Sequence, residues 1–213
     1  MFIIIAIITI LGVIYINEAD RKIPVNYAKR VRGMKVYGGV PTYLPLKINQ
    51  AGVIPIIFAI SILLLPSMLG QILLLFNNQT LVNIANALQQ FLNNQLVYGI
   101  SYFVLVFAFT YFYTALTFEP NEIAKNLQKQ GGFIAGIRPG DQTAHYLSNI
   151  LNRITLFGAL FLGIIAVLPL IVQALTGISA ISLGGTSLLI VVSVGLETIK
   201  AIKSQLLMRE YEI

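Results

Sequence analysis

The chain has 213 residues, of which 57% are hydrophobic and 10% charged, and its mean hydropathy is +0.82. Soluble domains carry about a quarter charged residues, so this composition excludes an ordinary water-soluble domain and points to a polytopic helical membrane protein. No cysteine is present, which removes disulfides and thiolate metal sites, and a net charge of +6 takes its meaning from where the cations lie.

Five apolar segments run over residues 2–16, 50–76, 95–118, 154–175 and 184–207. The middle three are long enough to cross a hydrocarbon core of about 30 Å at about 1.5 Å rise per residue. The first is short and starts abruptly at Met1; the fifth opens as GGTSLLIVVSVG and turns polar at Glu197. All 14 cations and all 8 acids fall in the segments 17–49, 119–153 and the tail after residue 190. The remaining connections, 77–94 and 176–183, carry no charge. The positive-inside rule makes the charged loops cytoplasmic, with the N-terminus of this chain outside and its C-terminus inside. Nothing basic precedes the first span and no cleavable signal is evident. The expectation is the C-terminal portion of a larger protein; the alternative is a natural five-span protein with a translocated N-terminus.

The first cytoplasmic loop contains IPVNY and PTYLPLKI, two proline-stiffened arms rich in β-branched and aromatic residues. Such arms are extended and disfavour helix. Between them, RVRGMKVYGG holds turn residues and most of the loop's cations, so a basic β-hairpin-like projection is expected. The simpler reading, cations that set topology and touch anionic lipid headgroups, leaves some thirty residues unexplained.

The second cytoplasmic loop begins as a helix at Pro120, with Glu122 early and Lys125 and Lys129 late, matching the dipole. QGG ends it, and Asp141 is the expected cap of a following helix, QTAHYLSNILNR, that runs into the fourth span. Arg138 is then expected at a tip between two short helices, in the stiff turn Gly136-Ile137-Arg138-Pro139-Gly140. A stiff turn loses little entropy on binding and arginine is enriched at interface hot spots, which favours protein docking over phosphate capture. Outside, Leu81, Ile84, Ala85, Leu88 and Leu92 form one helical stripe with Asn and Gln opposite, an uncharged amphipathic helix expected to pack over the spans.

Parts for catalysis are missing from the sequence. His145 has no partner at metal-ligand spacing and reads as a surface residue; no metal site or cofactor is expected. The glycines at 131, 132, 136 and 140 match no phosphate-cradling pattern. The interiors of the second to fourth spans hold no acid or base, which counts against an ion-coupled transporter. The spans do hold breakers: Pro55, Pro66, Pro169 and the LGGTS that opens the fifth.

RKIPVNYAKR, TYLPLKINQAGVIPIIFA, NLQKQGGFIAGIRPG and GGTSLLIVV, in this order, resemble the SecY family of protein-conducting channel subunits. The similarity covers essentially the whole chain and corresponds to spans six to ten of ten. It implies an all-α polytopic membrane protein forming the C-terminal half of a ten-helix channel, with no enzymatic activity. It implies a conduit that passes unfolded preproteins across the bacterial plasma membrane and releases apolar segments into lipid.

By the resemblance, Ile57 and Ile190 match the hydrophobic pore ring, and Asn49 and Leu65 match the lateral gate. Arg138, with Pro139 and Gly140, matches the family's docking turn for the motor ATPase SecA or the ribosome. Lys29, Arg30, Arg32, Lys35 and Lys47 widen that basic surface. The implied partners are the N-terminal half of the same channel, SecE-like and SecG-like small subunits, the preprotein with its signal peptide, SecA, the ribosome and anionic lipid. The competing readings are half of a secondary transporter, or a membrane scaffold with a docking loop.

Overall fold

The computed structural model describes residues 7, 11–12, 14–15, 17–27, 30–32, 35–37, 42–76, 78–177, 191, 194–195, 198–199 and 201–206. Ile190, Lys29 and most of the fifth apolar segment lie outside the described residues, as do the side chains of Arg30, Arg32 and Lys35.

After a first helical segment ending at Glu18, the chain forms β1 (Asp20–Tyr27), β2 (Arg30–Arg32), β3 (Lys35–Tyr37) and β4 (Thr42–Lys47). β1 pairs antiparallel with β4, from Asp20 opposite Lys47 to Val25 opposite Thr42. β2 pairs with β3, from Arg30 opposite Tyr37 to Arg32 opposite Lys35. Both ladders share one register, so β2–β3 continues the β1–β4 hairpin outward. Pro45 is on β4, a sheet edge, and Pro24 lies on the part of β1 that β5 does not reach, since β5 pairs only with Asn26 and Tyr27.

Then come α1 (Ile54–Leu73), α2 (Gln79–Asn93), α3 (Gln95–Thr117), α4 (Pro120–Lys129) and α5 (Asp141–Thr176), with further helical residues described between 191 and 206. Three stretches, starting at Ile54, Gln95 and Asp141, are long and apolar enough to cross a membrane. Half of the apolar window in α5 is buried inside the fold, against 22% for the other two, and α3 is the span that packs against both of the others. Ile56, Ala59 and Leu63 of α1, Tyr102 and Val106 of α3, and Leu162 and Ala166 of α5 make the core between the spans. At one crossing the Phe103 ring lies directly against Gly163, where a Cβ would stand 2.7 Å from it. Small residues that admit a neighbour this closely are how helices pack where lipid gives no hydrophobic drive.

Several local expectations are corrected. Pro55 starts α1 in its first turn and breaks nothing, whereas Pro66 and Pro169 do lie inside helices. Asp141 does not cap α5: Gly140 occupies the N-cap, and Asp141 sits in the first turn, where its charge complements the helix dipole. Arg138 does not stand between two short helices. On one side α4 gives way to a two-residue strand, β5 (Gly132–Phe133); on the other side α5 is one helix of 36 residues. In α2 the packed stripe keeps Leu81, Ala85, Leu88 and Leu92, but Ile84 is exposed. The starts of α2 and α3 are both capped without charge: the Asn78 side chain accepts from Thr80 N at 3.0 Å, and that of Asn94 from Leu96 N at 3.2 Å.

Candidate docking face and channel helix

The two charged loops form one body. β5 pairs with the free edge of β1, Asn26 opposite Phe133 and Tyr27 opposite Gly132, giving a three-stranded sheet in the order β4-β1-β5. Beneath it Ile23, Val25 and Leu46 from the hairpin close on Leu127, Ile134, Leu147, Ile150 and Ile154. This core, drawn from both loops and the first turns of α5, lies apart from the one between the spans. The pairing is tight at Gly132, where a Cβ would stand 3.1 Å from the Tyr27 ring and 3.3 Å from Leu127 O.

The turn bearing Arg138 grows from this core. Ile134 is buried, Ile137 N donates to Ile134 O at 3.1 Å, and Gly136 takes φ +81° at the third position. That is type II turn geometry, which calls for glycine there. Gly140, at φ +103°, redirects the chain into α5. The buried Thr143 hydroxyl then donates to the Arg138 carbonyl oxygen at 2.9 Å. The backbone of Arg138 is thus anchored while its side chain, like Pro139, is exposed. Lys47 is exposed at the far end of β4, opposite Asp20, and His145 is exposed on α5. So the described cations of this face project from a fixed frame.

Asn49 lies where the hairpin meets α1 and is only 7% exposed. Its Nδ2 donates to Asn17 Oδ1 at 2.9 Å and to Gly52 O at 3.2 Å, and its Oδ1 is buried without a hydrogen-bond partner among the described residues. One turn into α1, Ile57 is 44% exposed; further along, Leu65 is 53% exposed, just before Pro66. Both belong to the face of α1 that no described element covers. Asn49 is thus buried just before α1, and the two apolar residues lie along an aliphatic face of α1 that no described element covers. Residue spacing alone singles out neither.

The SecY family model matches residues 1–199 of the chain. This chain belongs to the SecY family. The protein translocase subunit SecY of Thermotoga maritima is 47% identical over 208 residues, 98% of this chain and 46% of the relative. That of Thermus thermophilus is 49% identical over 202 residues, 94% of this chain and 45% of the relative. A solved structure described as that of a protein-conducting channel matches with a TM-score of 0.57 at 20% identity, covering 98% of this chain and 49% of its own. A second, concerned with the plug domain of SecY, matches with a TM-score of 0.54 at 18% identity. The chain therefore spans about half the length of the SecY relatives it matches. It is a multi-pass membrane protein with the SecY fold.

Sequence reasoning missed the β5 pairing that fuses the loops. A signal for it was present: Gly132 and Phe133 follow a helix-ending Gly131 and precede two apolar residues, but two residues are too few to show a strand's alternation. It missed Asn17 as well, an ordinary polar residue at a helix end until the fold sets it against Asn49.

Proposed function

We propose that this chain is the C-terminal half of a protein-conducting channel that passes unfolded preproteins across the bacterial plasma membrane and releases apolar segments sideways into lipid. The observation that carries the reading is the exposed Arg138 on a turn anchored in the core shared by both charged loops, in a chain of the SecY family. A cation held on a fixed frame suits coupling to a partner that must push. The partner is the motor ATPase SecA or the ribosome, with Pro139, Gly140, Lys47, Lys29, Arg30, Arg32 and Lys35 extending the contact. The charged loops face the cytoplasm, with the first segment entering from outside and the tail inside, by the excess of cations in those loops. Anionic headgroups meet the outlying lysines.

In this reading α1 is one wall of the lateral gate, with Asn49 at its base and Leu65 on its open face. Ile57 and Ile190 belong to an aliphatic collar that closes on itself against ions, since dewetted apolar rings admit no charge. A passing chain displaces the collar without any bond being made or broken. The face of α1 that no described element covers meets the N-terminal half of the channel, and SecE-like and SecG-like subunits complete the assembly. The test is Arg138→Glu in the assembled channel, reconstituted in vesicles with SecA and a preprotein. ATP-driven transport is expected to fall by about tenfold or more, as for loss of a charged interface hot spot, with the channel still assembled. Unchanged transport would reduce the turn to a structural element.

A further inference from the structure

Of the four places where the chain passes between the docking body and the spans, three meet at one point. Ile48, between β4 and α1, donates its N–H to Ala19 O at the end of the first helical segment, at 3.0 Å. Next to it, Asn49 Nδ2 donates to Asn17 Oδ1 of that same segment, at 2.9 Å. From the third direction comes α5, which presents Gly158. A Cβ there would stand 2.6 Å from Ile48 O, a contact with backbone that no side-chain rotation relieves. The glycine is thus what lets α5 touch the peptide that leads into α1.

α5 makes this contact mechanical. From Asp141, beside the docking turn, to Gly158 the helix runs about 26 Å without a break, its internal proline, Pro169, lying beyond. Its first turns are locked into the docking core through Leu147, Ile150 and Ile154. The base of α1 is locked to α5 at Ile48, and the chain then passes Gly52, at φ +62°, before α1 begins. Docking body, α5 and the Ile48–Asn49 peptide form one piece, and Gly52 offers the joint between that piece and α1.

We propose that Gly158 is a positioning residue: by seating the Ile48 peptide directly on α5, it transmits a displacement of the docking body to the base of α1. This rests on the docking reading above and adds the route by which docking reaches the gate helix. A side chain at Gly158 separates the two backbones, so docking still occurs but its effect on α1 is weakened.

The test uses the complete channel with its small subunits in vesicles. Spin labels on the exposed positions Met68 of α1 and Phe112 of α3 report the movement of α1 when SecA binds with a non-hydrolysable ATP analogue. SecA affinity, preprotein-stimulated ATPase and preprotein transport are recorded beside it. For Gly158→Ala, unchanged SecA affinity is expected, with the label displacement and the transport per ATP each reduced about fivefold, in the range seen for residues along a coupling route. Wild-type displacement and coupling in this variant would overturn the proposal. Loss of SecA affinity in step with transport would overturn it too, leaving Gly158 a packing residue. Should Gly158→Ala fail to assemble, Asn17→Ala keeps every backbone in place and cuts the neighbouring bond. It is expected to show the same split in milder form, and wild-type displacement would count against the proposal. Arg138→Glu in the same vesicles separates the two failures. If it leaves SecA binding and transport intact, the docking reading falls; if it blocks them while Gly158→Ala changes nothing, the node alone falls.

Discussion

Thr143 holds the turn that bears Arg138 from within the fold. Its hydroxyl is buried and holds the Arg138 carbonyl at 2.9 Å, so the residue that presents the cation is tied to the first turn of α5. Thr143→Val keeps the shape and removes the donor. It is expected to cost about 1 kcal/mol locally, the net worth of one such bond. Hydrogen exchange of the amides from Gly136 to Ala144 checks this: they should exchange faster in the variant while those of α3 do not change. Equal exchange would mean that the glycines and Pro139 alone define the turn. Asn49 is a different case. Its Oδ1 is buried without a hydrogen-bond partner among the described residues, while its Nδ2 is used twice.

Between elements, the contacts that decide the fold are made by residues with little side chain. Gly163 admits the Phe103 ring, and Gly132 admits β5 to the edge of β1. Gly163→Ala is expected to destabilise the α3–α5 crossing by about 1–3 kcal/mol through overpacking. Phe103→Leu should recover part of that loss, and a double-mutant cycle on the melting temperature in detergent measures the coupling. Additive effects would place the close contact elsewhere. Long apolar runs made the three described spans legible in the sequence, and prolines with β-branched neighbours made the hairpin arms legible, because period and backbone restriction are local signals. The join between the loops was not legible. Asn26 and Phe133 are more than a hundred residues apart, and a two-residue strand has no pattern of its own. Cap positions were misread for a related reason: Asp141 and Gly140 are both acceptable helix starts, and the backbone turn after Pro139 chooses the glycine.

At the scale of the molecule, the body formed by the two charged loops has its own core beside three described spans, and no described element covers one face of α1. Arg138 drew the docking proposal from the sequence because a cation in a Gly/Pro turn is unusual between apolar runs. The roles proposed for Ile57, Ile190 and Leu65 could not be read this way, since isoleucine and leucine in a span look alike whether they meet lipid, helix or pore; those proposals came from the family resemblance alone. The central claim is that this chain supplies half of a protein-conducting channel. The most direct measurement is complementation in vesicles: this chain is co-assembled with the N-terminal half of a SecY channel and its small subunits, and SecA-driven entry of a preprotein into a protease-protected space is followed. The account predicts protected preprotein that depends on ATP and on the presence of both halves. An assembled complex of both halves that protects no preprotein would contradict it.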